Sequence, residues 1–191
     1  MFARRLVLAT LIAAASFSAQ AADKYDIDPT HTQVQFTYNH MGFSNITGRF
    51  DEVSGDFQFD AADPTQSSVS ITIPVASIST GVDKLDEHLL KADFFDATQF
   101  PTATFTSTGV TVAGEGKLAV AGDLTIHGVT RPVVMDVTIN KVGEHPMSKK
   151  PAAGFDASFD IKRSEFGVGG YAPAVSDEVR IEITVEAQKA E

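Results

Sequence analysis

The sequence predicts an all-β fold: an eight-stranded antiparallel barrel with one helix inserted between strands 3 and 4. Three observations predict it. Apolar and polar side chains alternate over eight separate segments, as in strands with one face on a core and the other in water. Turn-forming residues punctuate those segments at intervals that suit an up-and-down meander. One stretch alone, around residues 82–100, changes period from two to that of a helix. Many strands are long, and eight strands close around an interior wide enough for side chains or one ligand, which favours a barrel over a sandwich.

The first strand is QVQFTY, with Val34, Phe36 and Tyr38 on one face, and His40-Met41-Gly42-Phe43 bends the chain. Residues 47–60 resume the alternation through Val53, Phe57 and Phe59, with Gly48 and Gly55 as expected bulges or close contacts. After the Ala61-Ala62-Asp63-Pro64 turn, Val69, Ile71 and Ile73 form the third strand, which Pro74 ends. Val82, Leu85 and Leu89 then share one helix face, and Phe94, Phe95 and Phe100 make an aromatic hinge that Pro101 closes. From Thr102 the period returns to two, with Ala103 and Phe105 opposite a row of threonines. Ala113-Gly114-Glu115-Gly116 is a hairpin turn leading to Leu118, Val120, Leu124 and Ile126, with Gly122 where a barrel corner needs it. Val133, Met135, Val137 and Ile139 carry the next strand, with Arg131 at the rim of its apolar face. Phe155, Ala157, Phe159 and Ile161 follow, then a glycine-rich crossing over residues 163–176. Val179, Ile181, Ile183 and Val185 end the meander.

Residues 1–21 read as a secretion leader: Arg4 and Arg5, an apolar run from Leu6 to Ala15, and Ala19-Gln20-Ala21 as an A-x-A cleavage site. The apolar run is about half the ~20 residues that span a bilayer. The expected mature chain, residues 22–191, is one secreted domain without stable membrane insertion. Losing Arg4 and Arg5 takes the formal charge from −10 to −12, which disfavours nucleic acid as a partner. With no cysteine there is neither a disulfide framework nor a thiolate metal site. Outward positions are charged or hydroxylated and Trp is absent, unlike the aromatic-girdled face of an outer-membrane barrel.

Catalytic and metal motifs are missing. His31, His40, His88, His127 and His145 form no H-x-H or H-E-x-x-H set, so no metal is expected. No G-x-S-x-G, Walker or dinucleotide loop occurs, and Gly167-Val168-Gly169-Gly170 opens no helix pattern. The chain is not expected to be an enzyme or to hold a cofactor. Phe36, Tyr38, Phe57, Phe59, Phe105, Phe155 and Phe159 share the inward parity of their strands, as do Ile71, Leu118 and Val133. Alternation alone favours a filled core over a cavity, because both need the same pattern.

HLLKADFFDATQFPTATFTST (88–108) and GDLTIHGVTRPVVMDV (122–137) resemble the two signature segments of the YceI family, lipocalin-like proteins of the bacterial periplasm. The similarity runs from YDIDPTHTQVQF to VRIEITVEA. It implies a lipocalin-like barrel whose interior binds a long polyisoprenoid or similar lipid, for transport or storage, and it reverses the preference for a filled core. The inward residues just named then become the tunnel wall. His88 and Asp93 match the first signature, Arg131 lies in the second, and these three with Arg163 are candidates for the tunnel mouth. For His88 and Asp93 a helix-to-hinge contact is the plainer reading. Two alternatives stay open: an envelope stress protein with a filled barrel, and an enzyme acting on a bound isoprenoid with His88 and Asp93 as acid and base. Exposed side chains such as Phe43 and Tyr171 would support a homodimer.

N-terminal sequencing of the periplasmic fraction is expected to read from Ala22. An intact leader on membrane-bound protein would reject the export reading.

Overall fold

The computed structural model describes residues 22–191, and the expected leader lies outside the described residues. Eleven strand segments join one antiparallel sheet: β1 (Asp23–Ile27), β2 (Gln33–His40), β3 (Ser44–Phe50), β4 (Ser54–Phe59), β5 (Ser68–Pro74), β6 (Ile78–Ser79), β7 (Thr102–Gly114), β8 (Lys117–Ile126), β9 (Val129–Glu144), β10 (Pro151–Lys162) and β11 (Glu178–Lys189). The order runs β1-β4-β5-β7-β8-β9-β10-β11, and β11 pairs back to β1, so the sheet closes. β11 also holds β2, with Ile181 opposite Phe36 and Ile183 opposite Val34. β1 and β2 are therefore halves of one stave. β3 and β4 are halves of the next, since β2 pairs with β3 and β1 with β4. β5 and β6 share the third stave in the same way. The barrel has eight staves, as expected, with helix α1 (Asp83–Leu89) between the third and fourth.

Residues 47–60 were expected as one strand but form β3 and β4, parted at Asp51-Glu52-Val53, and β1 was not expected at all. The breaks have local causes. The Asp28 carboxylate accepts the Thr30 N–H at 2.8 Å and its hydroxyl at 2.6 Å, a side-chain turn that competes with the ladder. Pro29 has no N–H with which to continue that ladder. Across the barrel, Pro74 and the 3-10 turn Val75–Ser77 interrupt the third stave, where the Val75 N–H instead donates to the Pro101 carbonyl at 2.9 Å.

A further departure lies in β7. Ser107 pairs with Gly122 and Gly109 with Ala121, leaving Thr108 as a bulge that inverts the alternation. Ala103 and Phe105 face inward before it and Val110 after it, while Val112 is exposed. In α1, Val82 is the exposed N-cap rather than part of the apolar face, which Leu85 and buried Leu89 supply. Asp86 anchors the helix start by accepting the Thr80 N–H and hydroxyl at 2.8 and 2.6 Å. No helix among the described residues is long and apolar enough to cross a membrane. Ion pairs such as Lys24–Asp56 and Arg180–Asp160 stud the outer face, the reverse of a lipid-facing band.

Two glycines shape the interior. Gly48 pairs with Phe36, and a Cβ there would overlap the Phe36 ring. A Cβ on Gly122 would overlap the Phe105 ring and meet the Thr106 carbonyl oxygen at 2.6 Å. Each ring therefore places its tip over the glycine of a neighbouring strand. Gly122→Ala should cost about 1–3 kcal/mol, because backbone as well as ring must move. Gly109→Ala meets nothing within 4 Å and should be neutral or slightly stabilising. Urea midpoints compare the two; equal effects would contradict this packing.

Candidate functional site

The barrel encloses a cavity of about 500 Å3, within the range of ordinary ligand pockets. The filled core that alternation alone favours is not what forms. Phe36, Phe57, Ile181 and Ile183 point inward yet stay only half-buried, because they face this space.

Of the expected wall residues, Phe36, Tyr38, Phe57, Phe59, Ile71, Phe105, Leu118, Phe155 and Phe159 line the cavity. Val133 does not. It packs against the core opposite Gly122, where the Phe105 ring covers the wall. The far end is an aromatic floor: the Phe155 ring meets Phe59 edge-on at 5.1 Å and Phe57 at 5.5 Å, and Tyr25 meets Phe59 at 5.8 Å. Such edge-to-face contacts hold ring positions beyond what burial alone supplies.

The other end is capped by α1, the aromatic hinge and the crossing between β10 and β11. Sequence reasoning took the hinge for a connector and the crossing for irregular loop. Instead Leu85, Leu89, Phe94, Phe95, Phe166, Val168 and Val175 all join the lining. Phe95 stands edge-on to Phe50 at 6.1 Å, tying the hinge to the barrel. The apolar spacing of Phe166 and Val168 was a visible signal, masked by the glycines around it.

The mouth candidates separate. His88 lines the cavity, and its ring packs edge-on to Phe94 at 4.9 Å and lies 6.4 Å from Tyr171. The helix-to-hinge contact thus exists, but through Phe94; Asp93 is exposed and outside the lining. Arg131 is also exposed outside it, its Nε donating to the Glu165 carbonyl at 3.3 Å and pinning the 3-10 turn Arg163–Phe166 to β9. These two positions are exposed because each follows a turn: Asp93 leaves the helix end, and Arg131 sits just past Gly128.

Arg163 lines the cavity and is buried, but four of its five donors are committed. Nε donates to the Ser176 carbonyl at 2.8 Å and Nη2 to the Val175 carbonyl at 3.0 Å, while Nη1 donates to those of Val168 at 2.6 Å and Gly170 at 2.8 Å. Five forked donors suit several loop carbonyls at once. Burial pulls its pKa down, opposed by Asp177 and Tyr38, and an arginine remains charged regardless. Burial likewise pushes the Tyr38 phenol up. Asp177 accepts the Ser164 N–H at 2.8 Å and its hydroxyl at 2.7 Å, which holds its carboxyl below the usual range.

Away from the cavity, Asp28, His31 and Glu186 bring potential ligand atoms within 4.8 Å of one another. The Asp28 carboxyl is already engaged: the Thr30 hydroxyl, His31 Nδ1 at 2.9 Å and the Thr30 N–H lower its pKa to about 2. Those contacts are the turn chemistry of Asp28, Thr30 and His31.

A closed eight-stranded antiparallel barrel around one apolar cavity, capped by a helix and a loop, defines the lipocalin-like class of barrels. The chain belongs to the YceI family: the YceI-like domain matches residues 25–187. The YceI protein of Shigella flexneri is 37% identical over 181 residues, covering 95% of this chain and 94% of that protein. The crystal structure of Burkholderia cenocepacia BcnA superposes with a TM-score of 0.78 at 32% identity, covering 85% of this chain and 100% of that one. A polyisoprenoid binding domain from Saccharophagus degradans, implicated in plant cell wall breakdown, shares the fold with a TM-score of 0.68 at 17% identity, covering 87% of this chain and 98% of that one.

Replacing Arg163 by Met leaves four loop carbonyls without their donors and should cost roughly 2–4 kcal/mol. Arg163→Lys keeps the charge but not the fork, and should recover only part. Hydrogen exchange over residues 164–176 and urea midpoints read both; an unchanged loop in Arg163→Met would contradict the clamp.

Proposed function

We propose that this protein is a periplasmic lipid carrier that holds a long branched hydrocarbon chain, of the polyisoprenoid kind, inside the barrel for transport or storage. The observation that carries the reading is the cavity itself: its wall is dominated by Phe, Ile, Leu and Val, with polar side chains such as His40, His88 and Arg163 few among them, in a chain of the YceI family. The fold shared with a polyisoprenoid binding domain supports the same ligand class. The mechanism is burial. At ~0.8 kcal/mol per buried CH2, a five-carbon isoprene unit contributes about 4 kcal/mol before ordering costs. Affinity then grows with chain length and needs no polar contact. Arg163 and Asp93 are not required for it, the first because its donors serve the loop and the second because it lies outside. His88 and His40, with Tyr38 and Tyr171, are the side chains placed to meet a head group.

An organic extract of the purified protein, read by mass spectrometry, should contain a near-stoichiometric isoprenoid lipid. Phe57→Asp places a carboxylate in hydrocarbon surroundings and should abolish retention. Phe57→Leu and Phe105→Leu keep an apolar wall and should retain the lipid, as should Arg131→Ala. If Arg131→Ala alone empties the protein, a head-group receptor replaces burial. Turnover of the bound lipid would favour an enzyme.

A further inference from the structure

Three large apolar side chains stand exposed beside the capped end of the cavity. Phe43 is 90% exposed at the tip of the turn between β2 and β3, Tyr171 is 60% exposed on the crossing between β10 and β11, and Met41 is 47% exposed between them. The two segments are joined. His40 bridges to Val175, the Ser176 N–H donates to the Asn39 carbonyl at 2.9 Å, and the Val175 N–H donates to the Tyr171 carbonyl at 3.0 Å. Met41 and Tyr171 also line the cavity, so its wall runs out to the surface here through apolar side chains, with His40 and His88 beside them.

The local backbone makes the choice of residues informative. Met41 and Tyr171 have φ of 55° and 62°, left-handed values that strain a bulky side chain. Met41 and Gly42 form a hairpin turn in which Asn would sit without that strain. Turn chemistry therefore does not account for a methionine at 41, followed two residues later by a phenylalanine in water. The exposed area of the three side chains is about 400 Å2, taking 150–250 Å2 for a whole aromatic side chain. That is half of the ~800 Å2 per partner in a stable dimer, and it is concentrated on a protruding tip.

We propose that this rim docks onto a lipid bilayer. Phe43, Met41 and Tyr171 enter the interfacial layer, so that the carried chain passes between membrane and cavity without crossing water. The inference rests on the carrier reading, since a cargo with this much hydrocarbon must be collected from a lipid phase. With a formal charge of −10 the chain is repelled by anionic headgroups, so the favoured surface is zwitterionic.

The test uses phosphatidylcholine vesicles doped with a self-quenched fluorescent polyprenol, whose extraction by the mature protein restores emission. The wild-type rate should rise in proportion to vesicle concentration and fall when anionic lipid is added. Phe43→Glu, outside the cavity lining, should slow extraction at least tenfold while the final extent stays the same. Met147→Glu, on an equally exposed methionine (87%) at the opposite end, should change neither. An unchanged rate in Phe43→Glu, or a wild-type rate independent of vesicle concentration, overturns the docking site and leaves the carrier standing. Light scattering that finds a dimer dissolved by Phe43→Glu assigns the surface to a second copy and overturns it too. If the wild-type protein extracts nothing at any concentration, the carrier reading fails and the docking site falls with it.

Discussion

The structure depends on closure of the sheet around rings that lie on glycines. β11 holds β10 on one side and both halves of the first stave on the other, which closes the sheet and leaves the two-residue β6, paired with β3, as its short edge at the capped end. Within that wall the Phe36 and Phe105 rings rest over Gly48 and Gly122. Side chains at those two positions would lift the rings into the interior. A barrel of this size can fill itself with side chains, and here the rings so placed are what leave space.

The same constraint divides labour between hydrocarbon and polar groups. The wall presents few groups that can bind by hydrogen bonding, and the buried cation in it, Arg163, serves four loop carbonyls. That loop, with α1 and the hinge, caps the cavity. Arg163 thus shapes the cap through the carbonyls it holds, a role that proximity to the cavity does not reveal.

Much of the barrel was legible because period-two alternation survives wherever a strand is regular. β10 and β11 show it best: Phe155 and Phe159, Ile181 and Ile183 face the core as their spacing implies. The helix was legible from Leu85 and Leu89. What stayed hidden depends on partners distant in sequence. The Thr108 bulge exists because Ser107 and Gly109 pair with adjacent residues of β8, and nothing in TSTGV announces that offset. The break at Asp28 is local, an Asp-Pro-Thr turn that the sequence displays, whereas the one at Asp51 shows only once its N–H is seen to reach the Ser77 carbonyl. In the site, aromatic wall positions were readable from parity. Arg163 was readable only as a cation near an opening, since the carbonyls it serves belong to a loop without pattern. Asp93 and Arg131 matched signature segments, but position in a signature does not tell which way a side chain faces.

A crystal structure of the protein purified without detergent tests whether a hydrocarbon chain occupies the interior and touches the wall alone. Continuous elongated density from the Phe155 floor to Tyr171, in contact with Phe57, Ile71 and Phe105 and without a hydrogen bond along its length, is the expected result. Phe36 and Phe105 rings swung off Gly48 and Gly122 to fill an empty barrel would contradict it.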